Sequence, residues 1–208
     1  MSVTRLSIDL LRLDGGTQSR ALINPDVAGD YADAISAGAV FPPIDVFYDG
    51  SNYWVGGGFH RVLAHQQIKL TEIRANVHQG TQQDAQWFSF SENRTHGLRR
   101  TNEDKQRAVK AALMHPLGAG KSNRRIAEHV GVDEGSVRAW REKLEATAEI
   151  PQSSKRTGSD GRTTNTANIG KRKPEPDVVI TISDTASVVT SKAAKEPNAV
   201  PGEPNWDR

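Results

Sequence analysis

The chain has 208 residues, 36% of them apolar and 25% charged, with a net charge of +2 and no cysteine. This length and composition fit one or two small domains with some unstructured chain, and the lack of cysteine excludes disulfides, thiolate metal sites and cysteine catalysis. Residues 1–13 hold no long apolar core, and no later stretch approaches the roughly 20 apolar residues of a membrane span, which predicts a cytoplasmic protein without membrane contact. Charge is spread unevenly. Residues 1–93 carry 6 Lys and Arg against 10 Asp and Glu, whereas residues 94–145 carry 12 against 7 and residues 151–173 carry 6 against 1. A basic segment of this kind is the usual electrostatic footprint of nucleic-acid binding, with solvated helix faces as its plain alternative.

Taken in order, residues 7–13 (SIDLLRL) predict a first strand that stops at Asp14, Gly15 and Gly16, with Gln18 and Arg20 forming Q-x-R just beyond. Residues 26–37 place Val27, Tyr31, Ala34 and Ile35 at helical spacing, with Asn24 and Pro25 as a start and Gly38 as a stop. Ile44, Val46 and Tyr48 then alternate as a strand, and Asp49 to Asn52 turn the chain into a second strand from Tyr53. Three glycines, Gly56, Gly57 and Gly58, separate that strand from a helix holding Val62, Leu63 and Gln66. Strand, glycine turn and helix start together offer backbone N–H groups and a positive dipole end, and His60 and Arg61 stand in the first turn where they can join those amides around a phosphate. The plain alternative is a tight turn that merely packs a helix on a sheet. Residues 73–77 predict another strand. Thr81 with Asp84 caps a helix with Ala85, Phe88 and Trp87 on its buried face, which ends at Glu92 and Asn93.

In the basic stretch, Thr101 and Asp104 cap a helix that runs through Ala108 and Ala112 toward His115, and residues 116–120 break it. Ser122 caps a short helix over residues 123–130 with Ile126, Ala127 and Val130 inward. Gly131 and Val132 turn the chain, and Asp133 caps a third helix through Leu144. Short helix, glycine turn and longer helix match a helix-turn-helix. Val137, Trp140 and Leu144 share the inner face of the third helix, so Gly135, Arg138, Ala139 and Glu142 face outward. Arg138 is the candidate for a base-edge contact. Arg124, Arg125, Arg141 and Lys143 are candidate phosphate contacts, and Ser136 is a further DNA-binding candidate. From about Pro151 the composition turns to Ser, Thr, Asn, Gly and Pro and predicts a disordered tail with the basic run Lys171, Arg172, Lys173, although DVVITI, residues 177–182, has strand character.

The segment GGFHRVLAHQQ, with Gly58, Arg61 and Ala64 at the fixed places of G-x-x-R-x-x-A, resembles the phosphate box of the ParB/sulfiredoxin superfamily. The Q-x-R after the first strand, Ile35, Gly38, Pro43, Ile44 and Val46 before the box, and Glu92–Asn93 as the start of an E-N-x-x-R box resemble the same family in order. The resemblance implies an α/β (α+β) ParB/sulfiredoxin-like domain over residues 3–95, an all-α helix-turn-helix domain over 96–147 and a disordered tail over 148–208. It also implies a protein of plasmid, phage or chromosome partition that binds double-stranded DNA. Gly57, Gly58, His60, Arg61, Glu92 and Asn93 would hold cytidine triphosphate (CTP), with Glu92 and Asn93 on magnesium, and a homodimer and a partition ATPase are implied partners. The boxes depart from the family's G-E-R-R-x-R-A at Phe59, His60 and Leu63 and from E-N-x-x-R at His96, with Arg94, Arg99 and Arg100 as substitute charges nearby. Sulfiredoxins carry their catalytic cysteine where Phe59 stands, so sulfinic-acid repair, which needs a thiolate, is excluded. Two alternatives stay open: a transcription regulator that keeps the fold without nucleotide, and an enzyme, either a CTP hydrolase or a nuclease with His60, His65, Glu92 and His96 as metal candidates.

Overall fold

In its computed structural model the chain is described over residues 3–18, 24–92 and 100–166. A mixed five-stranded sheet forms the first half. Its strands are β1 (Val3–Ser7), β2 (Leu11–Arg12), β3 (Ile44–Tyr48), β4 (Tyr53–Gly57) and β5 (Glu72–Gln79), in the order β1-β5-β3-β4-β2. β3 runs parallel to β5 and antiparallel to β4, with a register shift between Asp45 and Val46. The single strand expected over residues 7–13 is corrected: a 3-10 turn, Ile8–Leu10, splits it, and the two pieces lie on opposite edges of the sheet. The 3-10 turn therefore carries the chain from one edge of the sheet to the other.

Alternation within the strands decides the layers. Val46 and Val55 point to one face, where they join Ile44, Ile73, Ala75 and Val62 of helix α2 (Phe59–Gln67). Phe47 and Trp54, one residue along, point to the other face and meet Ala85 and Phe88 of helix α3 (Gln82–Ser91). Helix α1 (Pro25–Ser36), capped by Asn24 and started by Pro25, buries Ala28 and Ala32 and packs on α2.

Helix α4 (Asn102–Met114), the short α5 (Pro116–Ala119), α6 (Asn123–Val130) and α7 (Glu134–Ala146) build a second core around Val109, Leu113, Ile126, Val130, Val137 and Leu144. The expected break at residues 116–120 is thus a four-residue helix opened by Pro116. Phe90 of α3 belongs to this core, and Trp87 packs on it. Residues 85 and 88 lie about 200° around the helix from 87 and 90, so α3 has one face in each core. Capping boxes at Thr81 and Thr101 start α3 and α4 as their sequences predict. The chain does not cease to fold at Pro151. Strands β6 (Lys155–Thr157) and β7 (Thr163–Asn165) form a hairpin whose Thr157 pairs with Lys121, with Ser122 N–H donating to Thr157 O at 2.9 Å and Thr157 N–H to Gly120 O at 2.8 Å. Residues 177–182 lie outside the described residues.

The turn between β3 and β4 depends on one carboxylate. Asp49 accepts from Trp54 Nε1 at 2.7 Å and from the N–H groups of Ser51 and Asn52, and these bonds, the Trp54 one first, hold its pKa down at about 2. A depressed carboxylate stabilises the fold above its unfolded pKa, and the stabilisation is lost as pH falls through the folded value. In urea denaturation, Asp49→Ala is therefore expected to be less stable than the unmodified chain at pH 6, with the difference shrinking steadily between pH 4 and pH 2.

Candidate functional site

The glycine turn is narrower than its sequence implies. Gly56 and Gly57 finish β4, and only Gly58 turns the chain, at φ 97° as the N-cap residue of α2. Gly58, as the N-cap residue, brings no side chain of its own to that helix start. Two close approaches explain the glycines: a Cβ on Gly57 would stand 2.6 Å from Cδ of Glu92, and one on Gly58 would stand 2.6 Å from Ile44 and 2.9 Å from Nη2 of Arg61. The Glu92 carboxylate at the end of α3 thus lies directly on the strand that feeds α2.

His60 and Arg61 are engaged within the fold. Nε2 of His60, which is buried, accepts the Asn24 N–H at 3.3 Å and ties α2 to the start of α1. Arg61 Nη1 donates to Pro42 O at 2.6 Å and Pro43 O at 2.7 Å. Burial lowers the Arg61 pKa against the opposing pull of Glu92 and Asp45, so both carboxylates lie within its field. Phe59 fills the core beneath the turn. Asn93, Arg94, His96 and Arg99 lie outside the described residues, as does Arg20. Arg100 is buried, donating to Phe90 O at 3.2 Å and to Val130 O, which corrects its reading as a substitute phosphate charge. Among the described residues no three His, Asp or Glu side chains cluster as metal ligands.

The second candidate surface is α6 and α7. Ser122 and Asp133 cap the two helices, and left-handed Gly131 (φ 76°) turns between them. Val137 and Leu144 are buried, with Trp140 half-buried beside them and Lys143 Nζ 5.2 Å from its ring centre. Arg138 stands outward, with its side chain 63% exposed and a loose 3.8 Å contact to Glu134. Arg124 is exposed too, bonded to Glu128 at 2.9 Å.

Two DNA-binding candidates are corrected. Ser136 is 1% exposed, and its N–H and Oγ–H both donate to the Asp133 carboxylate, so it completes a helix cap. Arg141 is 3% exposed: Nε donates to Asn123 Oδ1 at 2.7 Å and Nη2 to Lys121 O at 2.9 Å. Its place is four residues after Val137 and three before Leu144, on the inner face. Burial, with Arg156 adding to it, lowers its pKa to about 10. Arg125 is half-buried and donates to Gly158 O at 3.3 Å. That bond serves the β6–β7 hairpin, which sequence reasoning missed although Asp160–Gly161 between threonine-rich runs is a hairpin signal.

A mixed sheet with α2 and α3 on its two faces, followed by a helical unit that shares α3, defines an α/β domain joined to an all-α one. Residues 1–94 match the ParB N-terminal domain family. The chain is 32% identical over 144 residues, 67% of its length, to a possible regulatory protein of the streptomycin biosynthesis operon of Streptomyces griseus, and spans 39% of that relative. Solved structures similar to it include sulfiredoxin from Arabidopsis thaliana, at 24% identity over 42% of this chain and 97% of that one, with a TM-score of 0.37. The C-terminally truncated chromosome-partitioning protein ParB from Caulobacter crescentus is similar in two forms. With CTP-γ-S the match is 16% identical over 73% of this chain and 88% of that one, TM-score 0.39, and with the centromeric parS site it is 15% over 71% and 79%, TM-score 0.47. No helix among the described residues is long and apolar enough to cross a membrane.

Because Arg141 braces α7 against the start of α6, Arg141→Ala is expected to cost about 3 kcal/mol of stability through two lost charge-assisted bonds, seen as a lower urea midpoint without DNA present. An unchanged midpoint with weakened DNA binding would return Arg141 to the DNA surface.

Proposed function

We propose that this chain is a sequence-specific DNA-binding protein of ParB type, of the partition or regulatory kind, in which α6 and α7 form the DNA-reading helix-turn-helix. The observation that carries the reading is the outer face of α7: Arg138 projects one turn after a capped helix start, while Val137, Arg141 and Leu144 on the opposite side hold the helix in place. An arginine so placed suits a bidentate contact to guanine in the major groove, and the 3.8 Å contact to Glu134 is too exposed to compete strongly. Arg124, in the first turn of α6, suits a phosphate. The regulatory relative in Streptomyces griseus accords with the regulatory side of this reading.

A nucleotide-gated form of this function is favoured by one observation, the left-handed glycine start of α2 with the Glu92 carboxylate lying on Gly57. A carboxylate there repels a bare phosphate. It accepts one through a divalent cation, and magnesium, which takes one or two protein oxygens and completes its shell with phosphate and water, fits this arrangement. Glu92 and Asn93 would hold the magnesium and the amides beginning α2 the phosphates. Bound magnesium would supply charge neutralisation between carboxylate and triphosphate, and Arg61, already bonded to Pro42 and Pro43, would keep the turn in shape.

On duplexes enriched from a random pool, Arg138→Ala is expected to relax preference at one base pair by about 1–3 kcal/mol, whereas Arg124→Ala weakens all duplexes alike and lowers the salt slope by roughly 0.9. Equal losses from Arg138→Ala on enriched and random DNA would contradict the assignment. In calorimetric titration, CTP is expected to give heat with magnesium and none with EDTA, ATP to give less, and Glu92→Gln to abolish the magnesium-dependent signal. Folded protein that binds no nucleotide under either condition would leave a plain DNA-binding regulator.

A further inference from the structure

The hairpin β6–β7 is fixed to the DNA-reading unit from three directions. Thr157 exchanges main-chain bonds with Gly120 and Ser122, the residues that lead into and cap α6. Arg125, in the first turn of α6, donates to Gly158 O at 3.3 Å. Arg156 donates to Glu145 of α7 at 2.9 Å, with both side chains more than four-fifths buried. Such a buried pair, coupled to main-chain pairing, holds the hairpin in one orientation beside the start of α6.

Its outer surface is cationic and polar. Residues 151–166 contain Lys155, Arg156 and Arg162 against Asp160 as the sole acid. Arg156 is used internally, but Arg162 has its side chain 88% exposed, with Asp160 at 3.7 Å, and Lys155 is exposed. Strand β7 is exposed throughout and offers Thr163 and Thr164 hydroxyls. Lys155 pairs across from Asn165, three residues along from Arg162, so the two cations stand about 10 Å apart along the hairpin and on its opposite faces, flanking it from both sides. Hydroxyls and cations without an apolar anchor match the phosphate backbone.

We propose that hairpin β6–β7 is a wing that lies on the DNA phosphate backbone beside the start of α6, with Arg162 and Lys155 as its contacting cations. The proposal rests on α6 and α7 reading DNA, and extends their footprint by a sequence-independent contact. It also gives Arg125 and Arg156 a positioning role, since neither side chain needs to touch DNA to place the wing.

The test uses the full chain, a duplex enriched from a random pool and fluorescence anisotropy across a salt series. The double variant K155A/R162A, which removes two exposed side chains and leaves the core intact, is expected to bind roughly tenfold more weakly and to lower the salt slope by about 2. Its enriched base preference should match that of the unmodified chain, and its hydroxyl-radical footprint should lose protection on one flank. An unchanged slope and footprint, in a series where Arg138→Ala still alters preference, would overturn the wing while leaving the DNA-reading helix in place. Failure of the folded, unmodified chain to bind any duplex would overturn both.

Discussion

The ring of His129 lies on that of Trp87 with centroids 4.0 Å apart and planes within 10°, and its Nε2 is 2.8 Å from Trp87 O, so one residue of α6 grips both the side chain and the main chain of α3. His115 and Phe90 close around the same indole, and Lys121 Nζ stands 5.1 Å from its ring centre. Much of the molecule depends on this contact because α3 also carries Ala85 and Phe88 into the sheet core and Glu92 to the edge of the glycine turn. A shift of α3 large enough to move Glu92 must therefore either carry α6 with it or break the stack. Close-packed cores respond to such displacements by changing between discrete arrangements, which is how a nucleotide at Gly58 would bias the DNA-reading face.

Arginine has two uses here. Arg100 and Arg141 are withdrawn from solvent and Arg61 is half-buried, and all three spend donors on main-chain carbonyls or an amide: Pro42 and Pro43 for Arg61, Phe90 and Val130 for Arg100, Lys121 and Asn123 for Arg141. The planar guanidinium with its five donors suits this, because each buried N–H must find an acceptor. Arg124, Arg138 and Arg162 instead keep their heads in water with loose or local acidic partners. Screened pairs of that kind are worth little and exchange readily for phosphate.

That division explains what the sequence disclosed and what it hid. Elements carried by periodicity and caps were legible: Thr81 with Asp84, Thr101 with Asp104, Ser122 and Asp133 all start the helices they predict, and the alternation of residues 44–48 places β3. The ParB/sulfiredoxin fold followed from the order of elements around Gly58. The strand over residues 7–13 was misread because apolar continuity does not reveal a crossing from one sheet edge to the other. Arg141 was misread because its charge suggested solvent, whereas helical phase, counted from Val137, puts it on the inner side; Ser136 is withdrawn instead by its two bonds to the Asp133 carboxylate. The hairpin was missed because a Ser- and Thr-rich composition outweighed its Asp160–Gly161 turn, and its fixing bonds come from residues distant in sequence.

The glycine turn and the face proposed to read DNA are joined by packing rather than by chain proximity, and the central proposal is that the outer side of α7 meets DNA. Backbone amide mapping by nuclear magnetic resonance, with the full chain titrated with an enriched duplex, addresses it most directly. The account predicts shifts concentrated in residues 122–125, 133–139 and 155–165, with the strands of the sheet left in place. Shifts confined to the sheet domain, with residues 133–139 unmoved at saturation, would contradict it.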